Sequence, residues 1–275
     1  MTDLVILGSG TPNPDRGRAG AAVAVVADDG HWVLIDAGRA ATQRALDAGL
    51  QLTDLVAVYV THHHSDHLSD LPTLAITRWV AGAIDPLPVI APQGASSRFA
   101  ARCLDAFDDD CFHAQADARA PSRPSVMVQD FVASTDMVSV WAGPGWQISS
   151  ALVDHHPVAP AVGYRVHIDG ASVAVSGDTA VCDGMHVLAS GVDVLVHETV
   201  LTSAASTAML AWNAGAISVG ALASAAQVRT LVLTHLLPAP ATPRHEQQYI
   251  DEARSGGWHG PLHVAHDLMW LTIGA

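Results

Sequence analysis

The 275-residue chain carries a formal charge of −14, and its thirteen basic residues are all arginine, because it contains no lysine. That absence excludes a Walker-type phosphate loop and a Schiff-base lysine, and the acidity argues against a broad nucleic-acid footprint, which needs clustered positive charge. The composition is 49% hydrophobic, yet no apolar run reaches membrane-spanning length, so one globular domain over residues 1–275 with no membrane span is expected.

Leu4 to Leu7 is expected to form a strand leading into Gly8-Ser9-Gly10-Thr11-Pro12. That stretch lacks the spacing and following helix of a phosphate loop and reads as a tight turn. Met1 to Gly10 shows an acidic Asp3 and no basic leader, and Cys103, Cys111 and Cys182 form no CxxC pair, so a cytoplasmic protein is expected. Strands at Ala22 to Val26 and Trp32 to Ile35 precede Asp36-Ala37-Gly38 and a helix from Arg39 to Ala48. The strand Leu55 to Val60 then runs into Thr61-His62-His63-His64-Ser65-Asp66-His67. Helices are expected from Leu71 to Ala81 and from Ser96 to Phe107. Asp108 to Pro124, which opens on three aspartates, reads as a surface loop or lid.

Beyond that loop, strands are expected at Val126 to Val132, Ile148 to Val153, Val162 to Ile168, Ser172 to Val175, Val192 to Val196, Thr230 to Leu233 and Met269 to Ile273. Helices fall at Val181 to Ala189, Ile217 to Ala226 and Arg244 to Ser255. Strands in both halves with helices between them predict a layered α/β sandwich.

The segment His62 to His67 offers four ligand-type residues directly after a strand. In an extended segment His62 and His64 point to one side, and a helix beginning near Ser65 brings Asp66 and His67 round to a second point. The competing reading is a histidine-rich surface loop. Against it stands a repeated pattern in which apolar strands run into Asp154-His155, Gly177-Asp178, His197-Glu198 and Thr234-His235. Sites in α/β proteins gather at such carboxyl ends. His63 and His156 fall out of register with the ligand pattern. His31, His113, His167, His186, His245 and His259 are expected at the surface, and His263 and His266 are expected to be structural.

With these motifs in place, the chain resembles the metallo-β-lactamase superfamily, in the branch that holds ribonuclease Z and arylsulfatase-like hydrolases. The resemblance runs from Leu7-Gly8-Ser9-Gly10-Thr11-Pro12 through Leu34-Ile35-Asp36-Ala37-Gly38 to Leu233-Thr234-His235. It implies a four-layer αββα sandwich and two metal ions, one held by His62, His64 and His155, the other by Asp66, His67 and His235, with Asp178 bridging them. Imidazole and carboxylate ligands without thiolates suit zinc, with manganese or iron as substitutes. Two ions sharing Asp178 would share a hydroxide able to attack at neutral pH. Asp36 is expected to support a ligating histidine rather than to bind metal.

Two substrate classes follow, a small-molecule ester, phosphodiester, sulfate ester or lactone, and a tRNA precursor cut by a ribonuclease Z-like endonuclease. A non-catalytic binding protein on the same fold is a third reading, weakened because no ligand position is lost. The region between His67 and His155 holds five arginines, no lysine and Asp108-Asp109-Asp110, where ribonuclease Z carries a basic arm. The expected partner is therefore a small molecule rather than nucleic acid, with a homodimer left open. The catalytic set is expected to comprise Asp66, Glu198 and Asn213. By the resemblance, the glutamate of a His-Glu pair works with a histidine to protonate the leaving oxygen, and Trp212-Asn213-Ala214-Gly215 places Asn213 where that histidine belongs. An amide donates a hydrogen bond but no proton.

Overall fold

The computed structural model describes residues 1–107, 123–143 and 145–274. The expected loop Asp108 to Pro124 lies, as far as residue 122, outside the described residues. One sheet contains β1 (Thr2–Gly8), β2 (Ala22–Val26), β3 (Trp32–Ile35), β4 (Leu55–Tyr59), β5 (Leu87–Pro92) and β6 (Val126–Phe131). The other contains β7 (Val138–Gly143), β8 (Trp146–Leu152), β9 (Val162–Ile168), β10 (Ala171–Val175), β11 (Val194–Val200), β12 (Thr230–Leu237) and β13 (Leu262–Val264). The last strand, β14 (Met269–Ile273), returns to the first sheet, giving the orders β14-β1-β2-β3-β4-β5-β6 and β13-β12-β11-β10-β9-β8-β7.

Near-continuous apolar strands follow from burial on both faces. In β1, Leu4 and Ile6 enter the core between the sheets, whereas Val5 and Leu7 face a second core on the outer side. That outer face is covered by α1 (Ala41–Asp47), α3 (Leu71–Val80) and α4 (Ala95–Arg102). Between α1 and α3 lies the single turn α2 (Ser65–Leu68). The outer face of the second sheet packs Ala174, Leu195, Leu231 and Leu233 against α5 (Asp183–Ala189), α7 (Ala216–Ala225) and α8 (Pro243–Ser255), with the short α6 (Thr207–Leu210) before α7. Helix, sheet, sheet and helix make the expected αββα sandwich. Among the described residues no helix is long and apolar enough to cross a membrane.

Several expectations are corrected by local chemistry. β5 escapes a reading by pattern because Pro88 and Pro92 argue against a strand inside a sheet, yet it pairs with β4 and β6. Helix α8 starts a residue earlier than expected, since Thr242 caps it by accepting from His245 N at 3.3 Å and Pro243 sets its first turn. The strand expected to stop at Val196 runs on to Val200, because Thr199 and Val200 continue to pair with Leu236 and Leu237 of β12. His197 and Glu198 therefore lie within β11 rather than at its tip.

Strand direction decides where the ligands arrive. β10, β11 and β12 are parallel, and β8 is antiparallel to β9, which is antiparallel to β10. The carboxyl ends of β8, β10 and β12 consequently share one edge of their sheet.

Candidate metal centre

After β4 the chain stays extended as far as His64 (φ −67°, ψ 146°), and α2 then turns Asp66 and His67 towards the same space. Asp36 anchors this segment. Its Oδ1 accepts Thr61 N at 2.8 Å, and its Oδ2 accepts Thr61 Oγ1 at 2.8 Å and His67 Nδ1 at 2.7 Å. The Thr61 hydroxyl, donating to Asp36, accepts from His62 Nδ1 at 3.0 Å. Both imidazoles are thereby held with Nε2 facing inward, the orientation a ligand needs. Gly38 permits the close approach of α2, for a Cβ there would stand 2.0 Å from Asp66 O.

The other half supplies one residue per strand end. His155 Nδ1 donates to the Trp212 carbonyl at 3.1 Å, and the two rings stack at 6.1 Å and 26°. Asp178 follows β10 across Gly177, whose φ of 62° suits glycine. His235 is the extra residue of a bulge between Thr234 and Leu236 in β12 and adopts φ 48°. A left-handed residue inside a strand re-aims its side chain, here into the centre.

The structure brings His62, His64, His155 and Asp178 into one group and Asp66, His67 and His235 into another, with potential ligand atoms within 4.8 Å of one another in each. Asp178 faces both. Its Oδ2 lies 3.8 Å from His62 Nε2 and 3.8 Å from His155 Nε2, and its Oδ1 lies 3.2 Å from His67 Nε2 and 3.5 Å from His235 Nε2. Asp66 Oδ2 stands 3.1 Å from His235 Nε2 and 3.6 Å from His67 Nε2. His62 Nε2, His67 Nε2 and Asp178 Oδ1 are buried without a hydrogen-bond partner. Imidazole nitrogens and carboxylate oxygens that converge in a buried space without hydrogen-bond partners form a donor set that fits divalent metal ions.

The electrostatics agree with that donor set. Burial, then the neighbouring His67, pushes the His62 pKa well below its ordinary value. Burial works against the Asp178 carboxylate, but His235, His67 and His62 overcome it and hold the carboxyl well below the usual range. Glu198 goes the other way, raised well above it by burial and then by Asp178. It accepts Thr179 N at 2.8 Å through Oε1, and its Oε2 is buried and unpartnered. A small cavity of about 20 Å³, lined by Asp36, His67, Asp178 and Glu198 among others, adjoins it.

A larger cavity of about 400 Å³ opens over the centre, and Asn213 lines it with Trp212, Met209 and the Thr11-Pro12-Asn13 turn. Asn213 Nδ2 donates to Met209 O at 3.1 Å, a helix carbonyl rather than Glu198. The segment expected as a tight turn thus supplies a wall of this cavity, and the Trp212 carbonyl positions His155; neither role follows from sequence spacing. His63 and His156 are exposed, as are His31, His186, His245, His259 and His266. His263 is half-buried in β13, while His167 is half-buried and accepts from Arg165 Nε at 2.8 Å. His113 lies outside the described residues.

A family model described as the beta-lactamase superfamily domain matches residues 31–236. The chain belongs to that superfamily. Among curated relatives, Ribonuclease Z of Mycolicibacterium paratuberculosis is 35% identical over 288 residues, covering 100% of this chain and 99% of its own length. Ribonuclease Z of Mycobacterium marinum is 36% identical over 288 residues, covering 100% of both. Among solved structures, the metallo-β-lactamase fold protein YhfI of Bacillus subtilis superposes with a TM-score of 0.74 at 19% identity, covering 99% of each chain. The short form of human tRNase Z superposes with a TM-score of 0.73 at 18% identity, covering 99% of this chain and 100% of its own.

These relatives overturn two expectations. The expectation of a small-molecule substrate rather than nucleic acid rests on the net charge of −14 and on the missing basic arm between His67 and His155, but the full-length likeness runs to proteins named for a ribonuclease. Neither the average charge nor the charge of one segment includes what the centre itself would hold. Divalent metal ions at a centre that contains Asp66 and Asp178 would add positive charge that the sequence does not write.

Proposed function

We propose that the chain is a ribonuclease Z-type endoribonuclease that cuts tRNA precursors at the 3′ end. The observation that carries this reading is the 35% identity to Ribonuclease Z along the whole chain. In support, His63, Arg98, Phe99 and Arg102 line a groove of about 800 Å³ that shares the His63 to Ser65 turn with the metal centre. Arginine and aromatic side chains beside the chemistry suit a phosphate backbone and its bases. The setting proposed is the cytoplasm, with residues 1–275 acting as one domain.

In this reading His62, His64 and His155 hold one ion, Asp66, His67 and His235 hold the other, and Asp178 serves both. Zinc is the ion proposed, from imidazoles and carboxylates without thiolates. When bound, such ions polarise a phosphoryl oxygen and make water acidic enough to attack at neutral pH. Asp36 keeps the His67 ring in one tautomer, and Thr61 does the same for His62. Glu198, whose carboxyl pKa is raised by burial and by Asp178, stands beside that carboxylate with Oε2 unpartnered. Asn213, whose second N–H is not needed by Met209, donates a hydrogen bond to the leaving ribose oxygen without transferring a proton.

The test is cleavage of a tRNA precursor carrying a 3′ trailer by zinc-loaded protein. A single cut next to the acceptor stem, lost on chelation and restored by zinc, is expected. Intact precursor after prolonged incubation with fully loaded protein would sink the reading.

A further inference from the structure

The cavity over the centre has two unlike surfaces. One carries His64, His155, Asp178 and His235, and another carries Met209, Trp212 and Leu237. A phosphodiester seated against the first must lay a neighbouring substituent along the second. At about 400 Å³ the space accepts a group of nucleoside size.

Trp212 is 37% exposed, yet it is held firmly. Its carbonyl accepts His155 Nδ1 at 3.1 Å, its ring stacks on the His155 ring at 6.1 Å and 26°, and its amide donates to Met209 O at 3.3 Å. An indole fixed from behind by a ligating histidine is a platform organised in advance, so stacking against it costs little further ordering. Asn13 and Asn213 also line this cavity, where their amides can meet the edge of a flat heterocycle.

We propose that Trp212 is the stacking platform for one unpaired nucleobase flanking the scissile phosphate, a subsite that rests on the ribonuclease reading above. An aromatic face accepts any base, so the subsite contributes affinity and placement rather than sequence choice. Stacking of this kind is worth about 1–3 kcal/mol, or roughly 5- to 150-fold in binding.

Two measurements test it. Calorimetric titration of zinc-loaded protein with cytidine 5′-monophosphate and with ribose 5-phosphate isolates the base. The nucleotide should bind roughly 5- to 150-fold more tightly to the wild type, Trp212→Ala should abolish that ratio, and Trp212→Phe should keep most of it. Equal affinity of the two ligands for the wild type, or an unchanged ratio in Trp212→Ala, overturns the proposal. The second measurement compares cleavage of an intact precursor with precursors made abasic on either side of the cut. Trp212→Ala should slow the intact substrate and leave one abasic substrate unaffected. Equal slowing of all substrates would mean that Trp212 acts only through His155, and the subsite would be withdrawn. Should Trp212→Ala lose zinc, Trp212→Leu, which keeps apolar bulk over His155, replaces it in both arms. A wild type that shows the Trp212-dependent nucleotide ratio but cuts no precursor removes the ribonuclease reading and leaves the subsite standing. Cleavage with no dependence on the base does the reverse.

Discussion

His62, His64, Asp66 and His67 come from one turn after β4, whereas His155, Asp178 and His235 arrive singly from the ends of β8, β10 and within β12. The two regions are held in place by different means. The first hangs on a buried side chain, since Asp36 binds Thr61 and His67 together and reaches His62 through the Thr61 hydroxyl. The second is set by the backbone, through the Trp212 carbonyl, the φ of 62° at Gly177 and the bulge at His235 with φ 48°. Ligands close in sequence can share one anchoring carboxylate. Ligands delivered by separate strands each need their own backbone device.

Asp178 joins the two regions, so its loss should have the largest effect. Asp178→Ala should lower metal content from about two ions to below one and reduce precursor cleavage by about 10³-fold or more, read by elemental analysis and single-turnover kinetics. Cleavage within tenfold of the wild type would show that each group of ligands works alone.

Asp36→Asn tests the first region's dependence on one side chain. An amide nitrogen cannot accept from both Thr61 Oγ1 and His67 Nδ1, so metal affinity measured by chelator competition should fall by about 10- to 100-fold. Unchanged affinity would mean that main-chain bonds, such as Ala37 N to His67 O at 2.8 Å, suffice to place α2.

The same contrast explains how much could be read in advance. The His62 to His67 turn was legible because its spacing is local, and Asp36 because it follows a strand at the matching edge. β1 and β2 were legible as strands from their unbroken apolar runs, while their division between two cores was not. What was hidden depends on distant partners or on backbone geometry. The tie between His155 and Trp212 spans 57 residues and uses a carbonyl that any residue would offer. The bulge that aims His235 leaves no mark on composition. β5 was hidden by its prolines, and β13 and α6 by their shortness. The likeness to Ribonuclease Z was hidden behind the charge of the chain, because charge on ions is not written in it.

Asn213→His should have a smaller effect, confined to the second region. If Asn213 donates a hydrogen bond but no proton, cleavage of thymidine 5′-aryl phosphodiesters by the wild type should depend steeply on leaving-group pKa. The histidine variant should flatten that dependence and gain about tenfold on the poorest leaving group. A flat profile in the wild type, with chemistry limiting turnover, would mean that another group already supplies the proton.

The smallest effect at neutral pH compares a buried imidazole from each region. His67 has three carboxylates for company, Asp36, Asp66 and Asp178, and although burial disfavours its charge, Asp178 and Asp36 raise its pKa well above the ordinary value in the metal-free chain. His197 in β11 has none. Its Nδ1 donates to the Glu198 carbonyl at 2.7 Å and its Nε2 is buried without a partner, so a second proton would have no acceptor. Burial lowers its pKa from 6.5 to about 4. Between those values the unfolded chain binds a proton that the folded chain does not, so the His197 contribution is complete above 6.5 and is lost as pH falls towards 4. At about 1.4 kcal/mol per pH unit the loss reaches about 3 kcal/mol near pH 4. His197→Gln removes the titration and can keep the donor to the Glu198 carbonyl. Groups common to both proteins contribute alike and cancel in the difference. Denaturant unfolding of chelator-treated wild type and variant across this range should therefore give curves that converge or cross as pH falls, the wild type losing stability faster by up to one proton equivalent. Parallel curves would mean that the β11 imidazole finds an acceptor when it is charged, and the contrast with His67 would then lie in strength rather than in sign.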